Sequence, residues 1–230
     1  MRGRTLGQIA TMAREEAGQS GNAAVGRNVI DVFRQYVRRT YERLHQDFNW
    51  PHLYRHDDIT LERGKRYFAF PSDLDPDRLG EVYVLEDKGD RWRDVEYGVG
   101  PAQWNRYRHE DGEYADPVRR WQRTGEGLIE VWPTPETGEQ ILRFEGMPFP
   151  KILAGDNDVV DLDANMIALY AAGEWLAKQG ARDAELKLQQ AKRIDDRLRA
   201  NQMRSDPMLR LNTTRRQSAY QPIRVRAPGT

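Results

Sequence analysis

Apolar residues recur at steps of three and four in four stretches of this chain, and between the second and third of these they shift to short runs separated by turn residues. Over 5–17, Leu6, Ile9, Ala10 and Ala13 mark one face of an amphipathic helix, with Thr5 placed as its N-cap. A Gly/Ser/Asn break at 18–22 follows. Over 26–48, Ile30, Phe33, Val37, Tyr41, Leu44 and Phe48 form a stripe that predicts a helix of about six turns, and Trp50-Pro51 ends it because proline disfavours helical geometry in the residue before it. The helical period returns after residue 158. Met166, Ile167, Leu169, Tyr170, Trp175 and Leu176 predict a strongly apolar helix with Asp161 and Asp163 at its start and Gly180 past its end. Ala184, Leu188, Ala191, Ile194 and Leu198 mark a second helix, and so short a connection predicts an antiparallel hairpin.

Between Leu53 and Gly146 the runs 58–61, 67–70, 81–85, 94–97, 128–132 and 140–144 predict strands of a small antiparallel sheet or barrel. Arg63-Gly64-Lys65, Lys88-Gly89-Asp90 and Thr137-Gly138-Glu139 carry turn chemistry and predict hairpins. A short helix is expected over 101–108, where Trp104 and Tyr107 are three apart. Beyond Ser205 the apolar residues lose all period among prolines and arginines, and no core can form from such a segment. Extended, it would reach about 80 Å. The expected fold is therefore α+β: a helical bundle of N-terminal (1–50) and C-terminal (161–204) helix pairs, an inserted antiparallel β-rich domain (51–160), and an extended C-terminal arm (205–230).

Composition changes this picture in two respects. Lysine plus arginine and aspartate plus glutamate each total 36, so the chain has no net charge to serve as the footprint of a dedicated nucleic-acid binder. The apolar fraction is 38%, below the roughly 45 to 50% of a self-sufficient domain, while ten Tyr and six Trp supply side chains suited to wet interfaces. Both features fit a protomer completed by neighbours. Cysteine is absent, which removes disulfides and thiolate chemistry. With no apolar run near the roughly 20 residues of a membrane helix and no apolar core in the N-terminal residues, a soluble, cytoplasmic chain without a membrane partner is expected. Arg34, Arg38, Arg39 and Arg43 crowd the polar face of the long helix; they read as a solvated surface with intrahelical pairs such as Arg38 with Glu42, or else as a subunit interface.

Candidate chemistry is sparse. His52 and His56 are four apart, but in a strand that separates them by about 13 Å, so no metal site is expected of them. Asp73, Asp75 and Asp77 begin like a calcium loop, which then fails at Arg78 and Val84 where glycine and a bidentate acid are needed. No phosphate-loop, dinucleotide, nucleophile-elbow or zinc-protease motif occurs. The adjacent pairs Asp57/Asp58 and Asp195/Asp196 point to different faces and read as surface residues. No catalytic residue, metal or cofactor is expected. Arginine interleaved with aromatics at 91–93, 104–108 and 119–121 reads as core or interface cation-π contact, with single-stranded nucleic-acid stacking as the alternative.

One segment sharpens the reading. Trp50 and Leu53 closing a helix, then Gly64 in a turn, then Tyr67, Phe70, Pro71 and Asp73 stepping into the next strand, resemble the pattern of tailed-phage head-to-tail adaptor (connector or neck) proteins, with Phe70 where leucine is usual. The resemblance implies a structural virion protein rather than an enzyme. It implies a homo-oligomeric ring, of twelve subunits, beneath the portal, with a lumen that conducts genomic DNA. It further implies that the C-terminal arm attaches to the portal protein and that the β-rich part faces a downstream tail or nozzle protein, in the virion after assembly in the host cytoplasm. Candidate arm contacts are Arg204, Arg210, Arg215, Arg216, Arg224 and Arg226 for carboxylates, with Tyr220 and Ile223 as apolar anchors. The alternative is a nucleic-acid-binding protein that uses the basic arm and the arginine-aromatic clusters.

Overall fold

The computed structural model describes residues 2–19, 23–85, 91–105, 114–125 and 127–205. Among them are five α-helices and two four-stranded sheets, an α+β fold. Helix α1 (Leu6–Glu16) starts at a reciprocal cap in which Thr5 Oγ1 accepts from Gln8 N and Gln8 Oε1 from Thr5 N, so two orphan donors are satisfied together. Helix α2 (Ala23–Asp47) carries the predicted stripe inward: Phe33, Val37, Tyr41 and Leu44 are buried. A 3-10 turn follows at Pro51–Leu53. Helix α3 (Pro101–Trp104) is one short turn; the rest of the 101–108 expectation, beyond residue 105, lies outside the described residues.

Helices α4 (Ala164–Lys178) and α5 (Ala184–Ser205) form the C-terminal pair. Asp163 caps α4 through Met166 N at 3.0 Å, and Gly180 ends it with φ +67°, a left-handed value glycine takes without strain. α4 is the central helix, with α1, α2 and α5 all packed on it. Gly173 sets the α4–α5 approach, since a Cβ there would stand 2.8 Å from Leu188 Cγ.

The first sheet orders β1 (Arg55–Thr60), β8 (Ile141–Pro148), β3 (Leu74–Leu85) and β4 (Trp92–Asp94) as β1-β8-β3-β4, antiparallel throughout. The second orders β2 (Tyr67–Ala69), β7 (Leu128–Trp132), β6 (Arg120–Arg123) and β5 (Glu96–Tyr97) as β2-β7-β6-β5, with β5 parallel to β6. Their facing sides share one core that includes Phe68, Val84, Trp121, Ile129, Leu142 and Phe144.

Two of the expected hairpins are corrected. The Arg63–Lys65 turn does contain Gly64 at φ +72°, yet β1 pairs with β8 and β2 with β7, so the turn passes the chain from one sheet to the other. Thr137-Gly138-Glu139 does the same between β7 and β8. Only β3 and β4 pair across the third turn, whose own residues 86–90 lie outside the described set. The arginine face of α2 is a second correction in part, since Arg34 and Asp31 do form an intrahelical pair. Arg38 donates to the carbonyls of Leu153 and Ala154 at 2.5 and 2.9 Å rather than pairing with Glu42, Arg34 joins Asp31 and Asp156, and Arg43 meets Glu174 at 3.0 Å. This face straps down the chain's own 149–160 segment. A third concerns Asp195, which is buried and bonded to Arg199 at 2.6 Å, not a free surface acid.

Strand β8 serves both halves of the molecule. Leu142 and Phe144 enter the core between the sheets, whereas Met147, an odd number of residues on and so on the other face, is buried among the helices with Trp50, Leu53, Leu153 and Val160.

Gly173→Ala is expected to destabilise the fold by about 1–3 kcal/mol, because α5 must move off α4 to admit one methyl group. Urea unfolding followed by circular dichroism measures it, and an unchanged midpoint would mean that the helices are not in such close contact.

Candidate partner-docking site

The helices and sheets meet at the segment that follows α2. Phe48, Trp50 and Leu53 are buried there, with the Phe48 and Trp50 rings edge to face at 4.9 Å. Trp50 Nε1 donates to Leu44 O at 2.8 Å, which satisfies a buried indole and one of the carbonyls left over at the end of the helix. From the sheet side Arg78 reaches across: Nη2 donates to Phe48 O at 2.8 Å, Nε to Asn49 Oδ1 at 2.9 Å, and Nη1 lies 3.3 Å from His45 Nδ1. A cation at this end of α2 also complements the helix dipole. Arg78 reaches it because β3 shifts register against β8 between Leu74 and Leu79 and again before Val82. Gly146 opposite leaves room for that bulge, since a Cβ there would come within 3.1 Å of Arg78 O.

Electrostatics at the junction follow from burial. His45 is held below the usual imidazole range, first by desolvation and then by the Arg78 charge. Burial also lowers His52, whose Nε2 stands 3.2 Å from Asp161 O. Tyr41 is pushed well above the ordinary phenol range by burial and by the charge of Asp161; its hydroxyl accepts from Lys151 N at 3.2 Å. Lys151 Nζ in turn pairs with Asp161 at 3.1 Å. Beside this cluster opens a cleft of about 350 Å³ lined by His52, Tyr54, Arg55, Asp73, Phe149 and Asp161, among others. Within it Ser72 Oγ stands 3.2 Å from Asp73 Oδ1, and Asp161, besides its pair with Lys151, keeps a buried Oδ1 that no described group meets. Among the described residues no three His, Asp or Glu side chains gather where they could hold a metal ion. Asp75 and Asp77 serve locally: Asp75 Oδ1 accepts from Asp77 N at 3.0 Å, and Asp77 pairs with Arg123 at the same distance.

The motif residues of the adaptor resemblance divide between the two cores and the surface. Trp50 and Leu53 close the helical core, Phe70 packs edge-on against Phe144 at 5.7 Å, and Asp73 lines the cleft. Tyr67 stands out on β2, 44% exposed, with the Arg66 guanidinium over its ring. Of the candidate arm contacts, Arg204 belongs to the last turn of α5, with its side chain outside the described set; Arg210, Arg215, Arg216, Tyr220, Ile223, Arg224 and Arg226 all lie outside the described residues. The described part of α5 runs past the junction, where Arg199 lies over the Phe48 ring. Of the arginine-aromatic clusters, Trp121 is buried between Tyr97 and Phe144, which removes it as a stacking platform, and Trp92 carries Arg143 over its ring at 4.0 Å. Arg143 is itself held by both Asp58 oxygens at 2.7 Å, and this bond keeps the Asp58 carboxyl below its usual range. Sequence reasoning missed Arg78, whose partners are some 30 residues away in the chain; only the break it makes in the calcium-like run marked it.

Because folding lowers the affinity of His45 and His52 for protons, their contribution to stability is complete above about pH 6.5 and is lost as pH falls from there through their depressed folded values. The urea midpoint is therefore expected to drop between pH 7.5 and pH 5, and to drop less in His45→Gln. Asp58, lowered in the fold, loses its contribution only near and below its ordinary value of 3.8, outside this window. Equal slopes in the variant and the parent would exclude His45 as the source.

Comparison with known proteins supplies the family. No curated protein matches the chain. A family model described as SU10 adaptor protein matches residues 4–226, nearly the whole chain and every residue of that motif. The chain belongs to the SU10 adaptor protein family, which places it among the head-tail adaptors of bacteriophages, structural proteins of the virion.

Proposed function

We propose that this protein forms a ring of twelve copies beneath the portal, joins the capsid vertex to the tail around a channel for genomic DNA, and acts without catalysis. In this reading the N- and C-terminal helix pairs form the bundle of each protomer. The β-rich part faces the downstream tail or nozzle protein, and the arm from residue 205 onward grips the portal. The observation that carries it is the extent of the family match, which runs to residue 226 and so takes in the arm together with the folded part. The arm brings arginines at 210, 215, 216, 224 and 226 against one acid, Asp206, which suits it to carboxylates on a partner surface. An arm of this composition would gain order on docking and cover a large area for its length. A protomer of low apolar content would gain stability from a neighbour on each side, because a head-to-tail contact that closes on itself buries surface on every copy.

A chain ending at Ser205 is expected to keep the helix and strand content of the full protein while losing portal binding in a pull-down. Retained binding would remove the arm from the interface. The nucleic-acid alternative makes a different demand: affinity for DNA that falls steeply between 50 and 200 mM salt. The adaptor reading expects little binding to free DNA at either concentration, and a steep salt dependence in a gel-shift titration would favour the alternative.

A further inference from the structure

Phe149 is half exposed and belongs to neither core. With Leu53, Tyr54 and Pro148 it forms the apolar side of the cleft beside the junction, and His52 stands on the same lining. The end of α5 comes to this place. Arg199 lies over the Phe48 ring, and about one turn further on the side chain of Gln202 hydrogen-bonds to the His52 imidazole. Helix α5 stops at Ser205 because Pro207 disfavours helical geometry at Asp206. From Gln202 to Ser205 the helix covers about 5 Å, and three extended residues add about 10 Å, so Met208 falls within about 15 Å of Gln202.

What the chain brings there is apolar. Met208, Leu209 and Leu211 put three large apolar side chains into four residues, the densest such run beyond Ser205, whereas Arg215, Arg216, Arg224 and Arg226 all come later. A segment too short to build a core of its own covers such side chains by lying in a groove that already exists. The groove is close at hand. Because the run follows a helix whose last described turn is fixed at the cleft, it meets Phe149 at the effective concentration of a short tether, and docking orders only a few residues.

We propose that Met208, Leu209 and Leu211 of each chain dock in that chain's own cleft against Phe149, so that the arm starts from a fixed root at the junction. The arginines from 215 onward are then the part of the arm left for a partner. This contact requires neither a ring nor a portal, and it stands or falls apart from the assembly reading above.

Because the chain has no cysteine, the contact can be trapped in the full-length protein. Under mild oxidation Phe149→Cys with Leu209→Cys is expected to close an intramolecular disulfide, seen as a monomer of altered mobility in a non-reducing gel. It should close roughly tenfold faster than in Leu186→Cys with Leu209→Cys, where the first thiol is exposed at the opposite end of α5. Brief trypsin treatment of the unaltered protein is expected to cut after Arg215 and Arg216 roughly tenfold faster than after Arg210, because the docked root is the protected part of the arm. Phe149→Ser, at a half-exposed position, is expected to erase that difference and to leave the circular dichroism spectrum as it was. Equal closure rates for the two cysteine pairs, or equal cleavage after Arg210 and Arg215 in the unaltered protein, would overturn the contact. Covalent dimers in place of the closed monomer would give the cleft to the arm of a neighbouring copy and so overturn docking within one chain.

Discussion

The guanidinium of Arg78 is the constraint on which the architecture turns. The first sheet and the long helix α2 belong to separate cores that meet at Met147 of β8, and what fixes one against the other there is a side chain from a bulged strand that satisfies the carbonyl end of α2 and abuts a buried imidazole. Such a group is costly to desolvate, and burial does lower the affinity of Arg78 for its proton. It is tolerated because each of its three nitrogens meets a hydrogen-bonding partner. The bulge, Gly146 and the Trp50 turn all make sense as the geometry needed to bring that one group to that one place.

How much could be read from residue order follows from how local each interaction is. Helical stripes depend on neighbours three and four apart, and so α1, α2, α4 and α5 could be placed to within a few residues, including the Thr5 and Asp163 caps. Strand existence was nearly as legible, with 128–132 matched to the residue, but β6 was missed because Arg120, Gln122 and Arg123 surround a lone inward Trp121 and dilute its alternation. Pairing was not legible. Turn chemistry at Gly64 and Gly138 is real, yet it says nothing about which sheet receives the next strand, and β1 finds its partner some 85 residues away. Of the α2 arginines, the Arg34–Asp31 pair is local and of the expected kind, whereas the acceptors of Arg38 lie more than 110 residues on and could not be read.

The candidate site divides in the same way. The aromatic motif at 50–53 could be seen in the sequence because a helix end written in Trp and Pro is a local feature. Its purpose could not, because the motif acts by packing against Met147 and by sitting beside Arg78, both contributed by strands far along the chain. Arg-Trp-Arg repeats, by contrast, looked like chemistry and turned out to be partly architecture: Trp121 is core, and the Trp92 ring is covered by an arginine already committed to Asp58.

Strand β8 carries a mechanical consequence. A pull on the sheets away from the helices runs along this strand, from Phe144 on one side to Met147 on the other, and its backbone is bonded on both edges to β1 and β3. Load in that direction shears many bonds at once instead of unzipping them singly. A tie between two cores gains from being built as a doubly flanked middle strand rather than as a flexible linker.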